Sequence, residues 1–253
     1  VKNFLRRLIG LLGQLNIHGK DKIQVAIDRI KEFEPEEGYY LGFSGGKDSV
    51  VIYDLANRSG VKFDAHHNLT TVGPPEQIYF IRNEYPEVEI ERSETTMWKL
   101  IEKNGMPPTR IARYCCKDLK EHGGEGRFKI LGLRWAESGK RKNNRRMIES
   151  CITMNTRTLN PIIDWSESEV WEYIELMNLK YCELYDQGYS RLGCIMCPQK
   201  GKKGMLKDAE RYQKHYQAYL RAFDRMLKAR KEKGLETSWN TAQEVMDWWI
   251  NEQ

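Results

Sequence analysis

Six consecutive residues, Ser44-Gly45-Gly46-Lys47-Asp48-Ser49, bring together the groups that hold a phosphate. Gly45 and Gly46 carry no Cβ, so the backbone can turn tightly and present its N–H groups to an anion. Lys47 adds a point charge, and the hydroxyls of Ser44 and Ser49 are further donors. The apolar run Val50-Val51-Ile52-Tyr53-Asp54-Leu55 reads as a helix, whose N-terminus leaves amides unsatisfied and carries the positive end of its dipole. Asp48 is placed to orient a Mg²⁺ ion or to cap that helix. The segment is not a Walker A loop, because Leu41 stands where the first glycine of G-x-x-x-x-G-K-[ST] belongs. A bare glycine pair would read as an ordinary strand–turn–helix corner; all six residues in this context read as an anion cradle.

The cysteines carry a second chemistry. Cys115-Cys116 is an adjacent pair and Cys194-Ile195-Met196-Cys197 is a C-x-x-C followed by Pro198. Clustered thiols without a secretory signal suggest metal or redox chemistry before structural disulfides. Four thiolates suit a [4Fe–4S] cluster, with a Cys₄ zinc site as the alternative. Adjacent ligands fit the face of a cubane better than a zinc site built from spaced knuckles. A strained vicinal disulfide or four unrelated buried thiols are the uneventful readings. Cys151 and Cys182 are lone residues, by default small buried hydrophobes.

An alternation of strands and helices must position these groups. A stripe of Ile23, Ala26, Ile27, Ile30 and Phe33 predicts a helix ending before Gly38, followed by a buried strand at 39–43 and a helix at about 48–59. A strand is expected at 61–69, a helix at 75–85, a short strand at 88–91 and a helix at 95–103. Residues 128–135 read as the clearest later strand, and Ser166-Glu167-Ser168-Glu169 as a capping box opening a helix through Val170, Trp171, Ile174 and Met177. Val1–Leu15 reads as an amphipathic packing helix. Met205, Ala209, Tyr212, Tyr216, Tyr219, Phe223 and Leu227 recur at helical spacing, predicting one long C-terminal helix with an inward stripe. The repeated units imply an α/β fold: a doubly wound, mostly parallel, Rossmann-like sheet with N-terminal helices and a helical C-terminal region. The expected division is a helical segment at 1–37, a nucleotide-binding α/β domain with the cysteines at 38–198, and a basic helical extension at 199–253. Ligands of such sheets lie at the carboxyl ends of the strands, where residues 44–49 fall.

The 253 residues are 40% hydrophobic and 30% charged, which suits a cytoplasmic enzyme with a substantial core. No apolar run approaches the ~18 residues that span a bilayer, so no membrane partner is expected. The formal charge of +5 is uneven: residues 200–233 hold twelve Lys/Arg against four Asp/Glu, and 140–146 hold five basic residues and no acid. Such runs are ordinarily solvated helix surface; they also permit a polyanionic partner such as tRNA or DNA. The adjacent His66-His67 lie near a strand end, where packing is their ordinary use.

The hexapeptide is similar to the pyrophosphate loop of the adenine-nucleotide α-hydrolase superfamily, which includes ATP pyrophosphatases, tRNA thiolases and sulfonucleotide reductases. Within it, the chain resembles the phosphoadenosine phosphosulfate (PAPS) reductase family in its iron–sulfur branch. The Cys-Cys…Cys-x-x-Cys pattern matches that branch, and Arg191-Leu192-Gly193-Cys194 matches its R-x-G-C lead-in. Thr71-Val72-Gly73-Pro74-Pro75-Glu76 resembles the segment after the family's second strand. Gly132-Leu133-Arg134-Trp135-Ala136-Glu137-Ser138 with Arg141 is similar to its G-[LIV]-R-x-x-[ED]-S-x-x-R motif, and Pro161 to Trp171 to its P-[LI]-x-x-W-[ST]-x-x-[DE]-V-W stretch. The resemblance implies an adenine nucleotide on residues 44–49, Arg134 and Arg141 on phosphate or sulfate oxygens, a cluster on Cys115, Cys116, Cys194 and Cys197, and a nucleic acid or a sulfur-donor protein as partner.

Two departures shape the expected reaction. The family's reductases use a cysteine in a C-terminal Glu-Cys-Gly-Leu-His segment, whereas no cysteine follows Cys197 here. The loop is a full S-G-G-K-D-S, the form of ATP-cleaving members. The expectation is therefore Mg²⁺-ATP bound on the loop, adenylation of an acceptor oxygen with release of pyrophosphate, Lys47 and Asp48 in the catalytic machinery, and cluster-assisted sulfur transfer. Reduction of adenylyl sulfate or PAPS is the alternative reaction. A non-catalytic nucleotide sensor or assembly subunit is the alternative of a different class.

Overall fold

A computed structural model describes residues 21–151 and 156–252. The expected helix at Val1–Leu15 and the side chain of Cys151 lie outside the described residues. Six strands form one sheet: β1 (Tyr39–Gly42), β2 (Phe63–Leu69), β3 (Glu89–Arg92), β4 (Phe128–Ile130), β5 (Ile148–Cys151) and β6 (Thr156–Leu159), in the order β3-β2-β1-β4-β6-β5. The sheet is mostly parallel. Leu41 of β1 lies opposite Ala65 on one side and Ile130 on the other, and Ile130 in turn faces Leu159. The β5–β6 pair is antiparallel, with Ile148 opposite Leu159. Helices cover both faces, as the alternating sequence predicts.

The described helices are α1 (Lys22–Glu32), α2 (Lys47–Ser59), α3 (Pro75–Glu84), α4 (Met97–Asn104), α5 (Tyr114–Leu119), α6 (Gly139–Asn144), α7 (Glu167–Leu176), α8 (Gly201–Arg211), α9 (Gln213–Glu232) and α10 (Ala242–Asn251). None is long and apolar enough to cross a membrane. Their ends follow local chemistry. Asp21, Thr96, Ser166 and Thr241 cap α1, α4, α7 and α10 through their side chains, and Ser166 with Glu169 closes the capping box read from the sequence. Gly60 and Gly105 end α2 and α4 in the left-handed conformation.

The chain gathers into two compact units. Of the described residues, one comprises 21–67, 76–90, 123–151 and 156–192; the other 68–75, 91–122 and 193–252. In the first, Leu41, Phe43, Val51, Leu55, Ile130, Leu159, Trp165 and Tyr173 are buried around the central strands. In the second, Met97, Ile101, Met205, Tyr219, Phe223, Val245 and Trp249 form a separate helical core.

Two expectations are corrected. The strand expected at 128–135 stops at Ile130. A Cβ on Gly132 would stand 2.9 Å from the backbone of Asp48, so the chain must leave the sheet there to pass over the first turn of α2. The single C-terminal helix is two, α8 and α9, divided at Tyr212 (φ −109°, ψ 58°). No glycine or proline marks the break, and Tyr212 keeps its buried place in the inward stripe across it.

Candidate functional site

In the first unit the strand order reverses between β1 and β4, and the loops after both strands meet at that switch point. β1 delivers Ser44, Gly45 and Gly46 directly to the first turn of α2. Gly45 has φ +72°, and a Cβ there would stand 2.9 Å from Ile81 Cδ1, so its lack of a side chain is used twice. Gly46 takes the N-cap position of α2 with no side chain capping it. The Ser44 hydroxyl accepts from Gly46 N–H at 3.3 Å and donates to Ser49 Oγ at 3.2 Å; Ser49 Oγ donates to Gly46 O at 2.8 Å. Gln77 Nε2 donates to Ser44 O, and His67 Nδ1 contacts Phe43 O at 2.9 Å, bracing the strand's exit.

Lys47 is buried, and its ammonium is surrounded by oxygen: Glu167 Oε1 at 3.2 Å, Ser190 O at 3.4 Å and Asp48 Oδ2 at 3.7 Å. Its backbone N–H donates to the Tyr185 hydroxyl at 2.9 Å. Arg134 is 1% exposed and is spent on carboxylates and a carbonyl: Nε to Asp48 Oδ1 at 2.6 Å, Nη2 to Glu167 Oε2 at 2.9 Å, Nη1 to Trp165 O at 3.4 Å. Burial works against the Glu167 carboxylate, yet the Arg134 hydrogen bond and the Lys47 charge hold it below the usual carboxylate range. Arg141 pairs with Glu137, whose carboxylate also accepts Arg134 N–H. Burial, then the like charges of Arg191 and Arg145, push the Arg141 guanidinium down from its ordinary value, with Glu137 acting in opposition. The expected loop residues, Arg134 and Arg141 therefore lie together, and Arg191 and Arg145 set like charge against Arg141.

Sequence reasoning missed Glu167 and Tyr185. Glu167 reads from sequence only as part of a capping box, and it falls on an unspecified position of the Pro161–Trp171 motif. Tyr185 had no local signal; it is aimed by edge-on packing against Trp171, 5.1 Å between ring centres.

In the second unit Cys115 and Cys116 open α5, and Cys194 and Cys197 flank a tight turn. None of the four is in a disulfide, and Cys115 lies within electrostatic reach of Cys116, Cys194 and Cys197. A hydrogen bond from the Cys115 thiol, aided by Arg113, brings the Cys116 thiol down to about 5 and pushes Cys115 up. Arg113 Nη2 donates to Cys116 Sγ at 3.4 Å. Three contacts tether the 194–197 turn: Ile195 N–H to Val72 O at 2.7 Å, Tyr219 hydroxyl to Ile195 O at 3.1 Å, and Met196 N–H to Asp208 Oδ2 at 2.8 Å. Met196 sits at φ +56°, an unusual conformation that these tethers sustain. Among the described residues, no group of three or more His, Cys, Asp or Glu side chains is arranged so that it could hold a metal ion. By residue type alone the set is four thiols from two segments, with Arg113 and Lys120 helping to lower Cys116. Cys182, in the first unit, is buried as expected.

Residues 38–200 match the model of the phosphoadenosine phosphosulfate reductase domain, well over half of the chain. The chain belongs to the PAPS reductase domain family. It is 33% identical over 180 residues to an uncharacterised protein of Methanocaldococcus jannaschii, covering 67% of this chain but 44% of that one. The chain thus spans less than half the length of that relative. It is 27% identical to a probable FAD synthase of Schizosaccharomyces pombe, over 75% of this chain and 69% of the relative. It is 30% identical to an adenosine 5′-phosphosulfate reductase of Staphylococcus epidermidis, over 61% and 68%. Among solved structures, the PAPS reductase of Candida auris in its phosphate complex shares the fold, with a TM-score of 0.51, 16% identity, and coverage of 76% of this chain and 94% of that one. The family thus includes enzymes of at least two reaction types, both named for adenine-nucleotide chemistry.

Proposed function

We propose that this PAPS reductase-family chain is an enzyme that binds Mg²⁺-ATP on residues 44–49 and cleaves it at the α-phosphate. The observation that carries the reading is the complete Ser-Gly-Gly-Lys-Asp-Ser loop, built at a sheet switch point with its amides and Lys47 at the start of a 13-residue helix. In the step, an acceptor oxygen forms a bond to the α-phosphorus, the α–β bridging P–O bond breaks, and pyrophosphate leaves with the electron pair. Lys47 and the loop amides stabilise the charge that develops on the leaving oxygens, and Arg141 with Arg191 neutralises the remaining phosphate oxygens. Asp48 and Arg134 act as a buried strut that fixes the first turn of α2. Asp48 is engaged by Arg134 and Lys47, so Mg²⁺ arrives as the counter-ion of the nucleotide. The FAD synthase relative supports adenylyl chemistry.

Cys115, Cys116, Cys194 and Cys197 would hold a [4Fe–4S] cluster, with zinc as the alternative occupant. When bound, such a cluster supplies sulfur-carrying or electron-transfer chemistry. The protein's own part is to keep the 194–197 turn fixed and to set positive charge from Arg113 and Lys120 beside the thiolates. A second reading is reduction of a sulfonucleotide, favoured by the reductase relative; it needs a thiol or other electron donor that the loop itself does not provide.

Anaerobic purification with iron, sulfide and zinc analysis, followed by incubation with Mg²⁺-ATP and separately with adenylyl sulfate, tests both. About four irons and four sulfides per chain and pyrophosphate released only from ATP are expected, with iron lost in Cys194→Ser. Lys47→Ala is expected to cut pyrophosphate release by roughly a hundredfold or more while the fold is kept. Sulfite from adenylyl sulfate would replace this reading with the reductase.

A further inference from the structure

We propose that Glu167 is a built-in competitor for the phosphate site, and that it sets the charge a ligand needs to bind. The inference rests on the loop being an anion site, as proposed above. Two groups already use the donors such a loop would offer: Glu167 Oε1 lies 3.2 Å from Lys47 Nζ, and the Tyr185 hydroxyl accepts Lys47 N–H at 2.9 Å. A carboxylate oxygen and a phenolic oxygen stand here as phosphate oxygens stand on such a loop.

The contact that gives way on binding is identifiable. Lys47 has three oxygen neighbours. Ser190 contributes a backbone carbonyl, which moves only with its chain. Asp48 is tied to the buried guanidinium of Arg134 at 2.6 Å. Of the two carboxylates Glu167 has the more exposed side chain, 56% against 22% for Asp48, so it can swing into water with little loss of packing. Its departure leaves Arg134 bonded to Asp48 and Trp165 O, so the strut survives.

An incoming anion must therefore outbid one negative charge held by two cations. Pyrophosphate and triphosphate bring several charges and several acceptors and displace the carboxylate. A single sulfate or phosphate gains little over what Glu167 already supplies. Glu167 thus acts as a specificity-determining residue that favours polyphosphate over simple oxyanions.

Titration calorimetry of the full chain with inorganic pyrophosphate, phosphate and sulfate tests this on wild type, Glu167→Gln, Glu167→Asp and Lys47→Ala, with thermal unfolding as the check on folding. Glu167→Gln is expected to bind pyrophosphate on the order of tenfold tighter and to gain measurable phosphate binding, the size expected when one competing charge is removed. Glu167→Asp, which keeps the charge, is expected to stay within about threefold of wild type. Unchanged or weaker pyrophosphate binding in folded Glu167→Gln, with wild type binding and Lys47→Ala not, overturns the competitor role and leaves the loop reading standing. Pyrophosphate bound by none of the four, or equally by Lys47→Ala, overturns both.

Discussion

Asp164 shows how single charges in this chain are committed to position rather than left on the surface. Arg29 meets it with two parallel bonds, Nη1 to Oδ1 at 2.8 Å and Nη2 to Oδ2 at 3.0 Å, and also reaches Pro161 O at 2.7 Å. Burial alone would raise the Asp164 carboxyl, but the Arg29 fork more than offsets it and holds it below its ordinary value of 3.8. A depressed folded value means that the pair's contribution is complete above the unfolded value and is lost as pH falls through the folded one. The thermal midpoint of Asp164→Asn is therefore expected to trail wild type by a constant margin above about pH 5, to close on it as pH falls below the ordinary value of 3.8, and to meet it only below the depressed folded value. A margin that persists at low pH would show that the fork contributes through packing alone. Lys47, Asp48, Arg134 and Glu167 form a similar commitment at the loop, where the types of the first three were legible in sequence and the partners were not.

At the scale of elements, two turns carry the candidate chemistry, and each is held in an uncommon backbone conformation. Gly45→Ala places a Cβ at φ +72° against Ile81, so it is expected to cost about 1–2 kcal/mol and to lower the thermal midpoint by roughly 2–8 °C. Pyrophosphate binding should fall with it, because the loop amides would no longer converge. The 194–197 turn depends on Asp208, which is fully buried on α8, accepts Met196 N–H and pairs with Lys200 Nζ at 2.5 Å. Asp208→Ala leaves a buried N–H unsatisfied, an expected loss of about 1–3 kcal/mol in thermal unfolding. Iron retention should drop in Asp208→Ala, and Asp208→Asn should recover part of it by keeping an acceptor oxygen. Gly45 was predictable from its type, whereas Asp208 was one acid in a basic run and gave no sign of its burial.

Over the whole molecule, the basic excess of residues 200–233 divides between structure and surface. Lys200 pairs with Asp208, Arg225 with Glu102, Lys228 with Asp224, and Arg230 donates to Gly105 O at 2.8 Å. Lys202 and Lys203 are exposed on α8. Reversing both to glutamate is expected to leave stability within about 0.5 kcal/mol while shortening retention on an immobilised polyanion, measured against salt. Unchanged retention would assign the excess to solvated helix faces. The same separation appears in the aromatic stripe of this region: Tyr219 and Phe223 are core, packed against Trp249, and not a docking surface.

The sequence by itself determined the alternation of strands and helices, the loop at 44–49 and the two thiol pairs, because these depend on local pattern, on glycine's missing Cβ and on residue type. It showed neither β5 and β6 nor the end of β4, which is fixed by the close approach of Gly132 to Asp48. Only the tertiary structure decided that Arg134 serves Asp48 and Glu167, that Tyr185 caps the loop amide, and that Asp208 holds the cysteine turn. Each of those contacts joins residues whose charges and hydroxyls look solvent-facing in one dimension. Burial leaves such groups no water, so they take whichever partner the fold sets beside them.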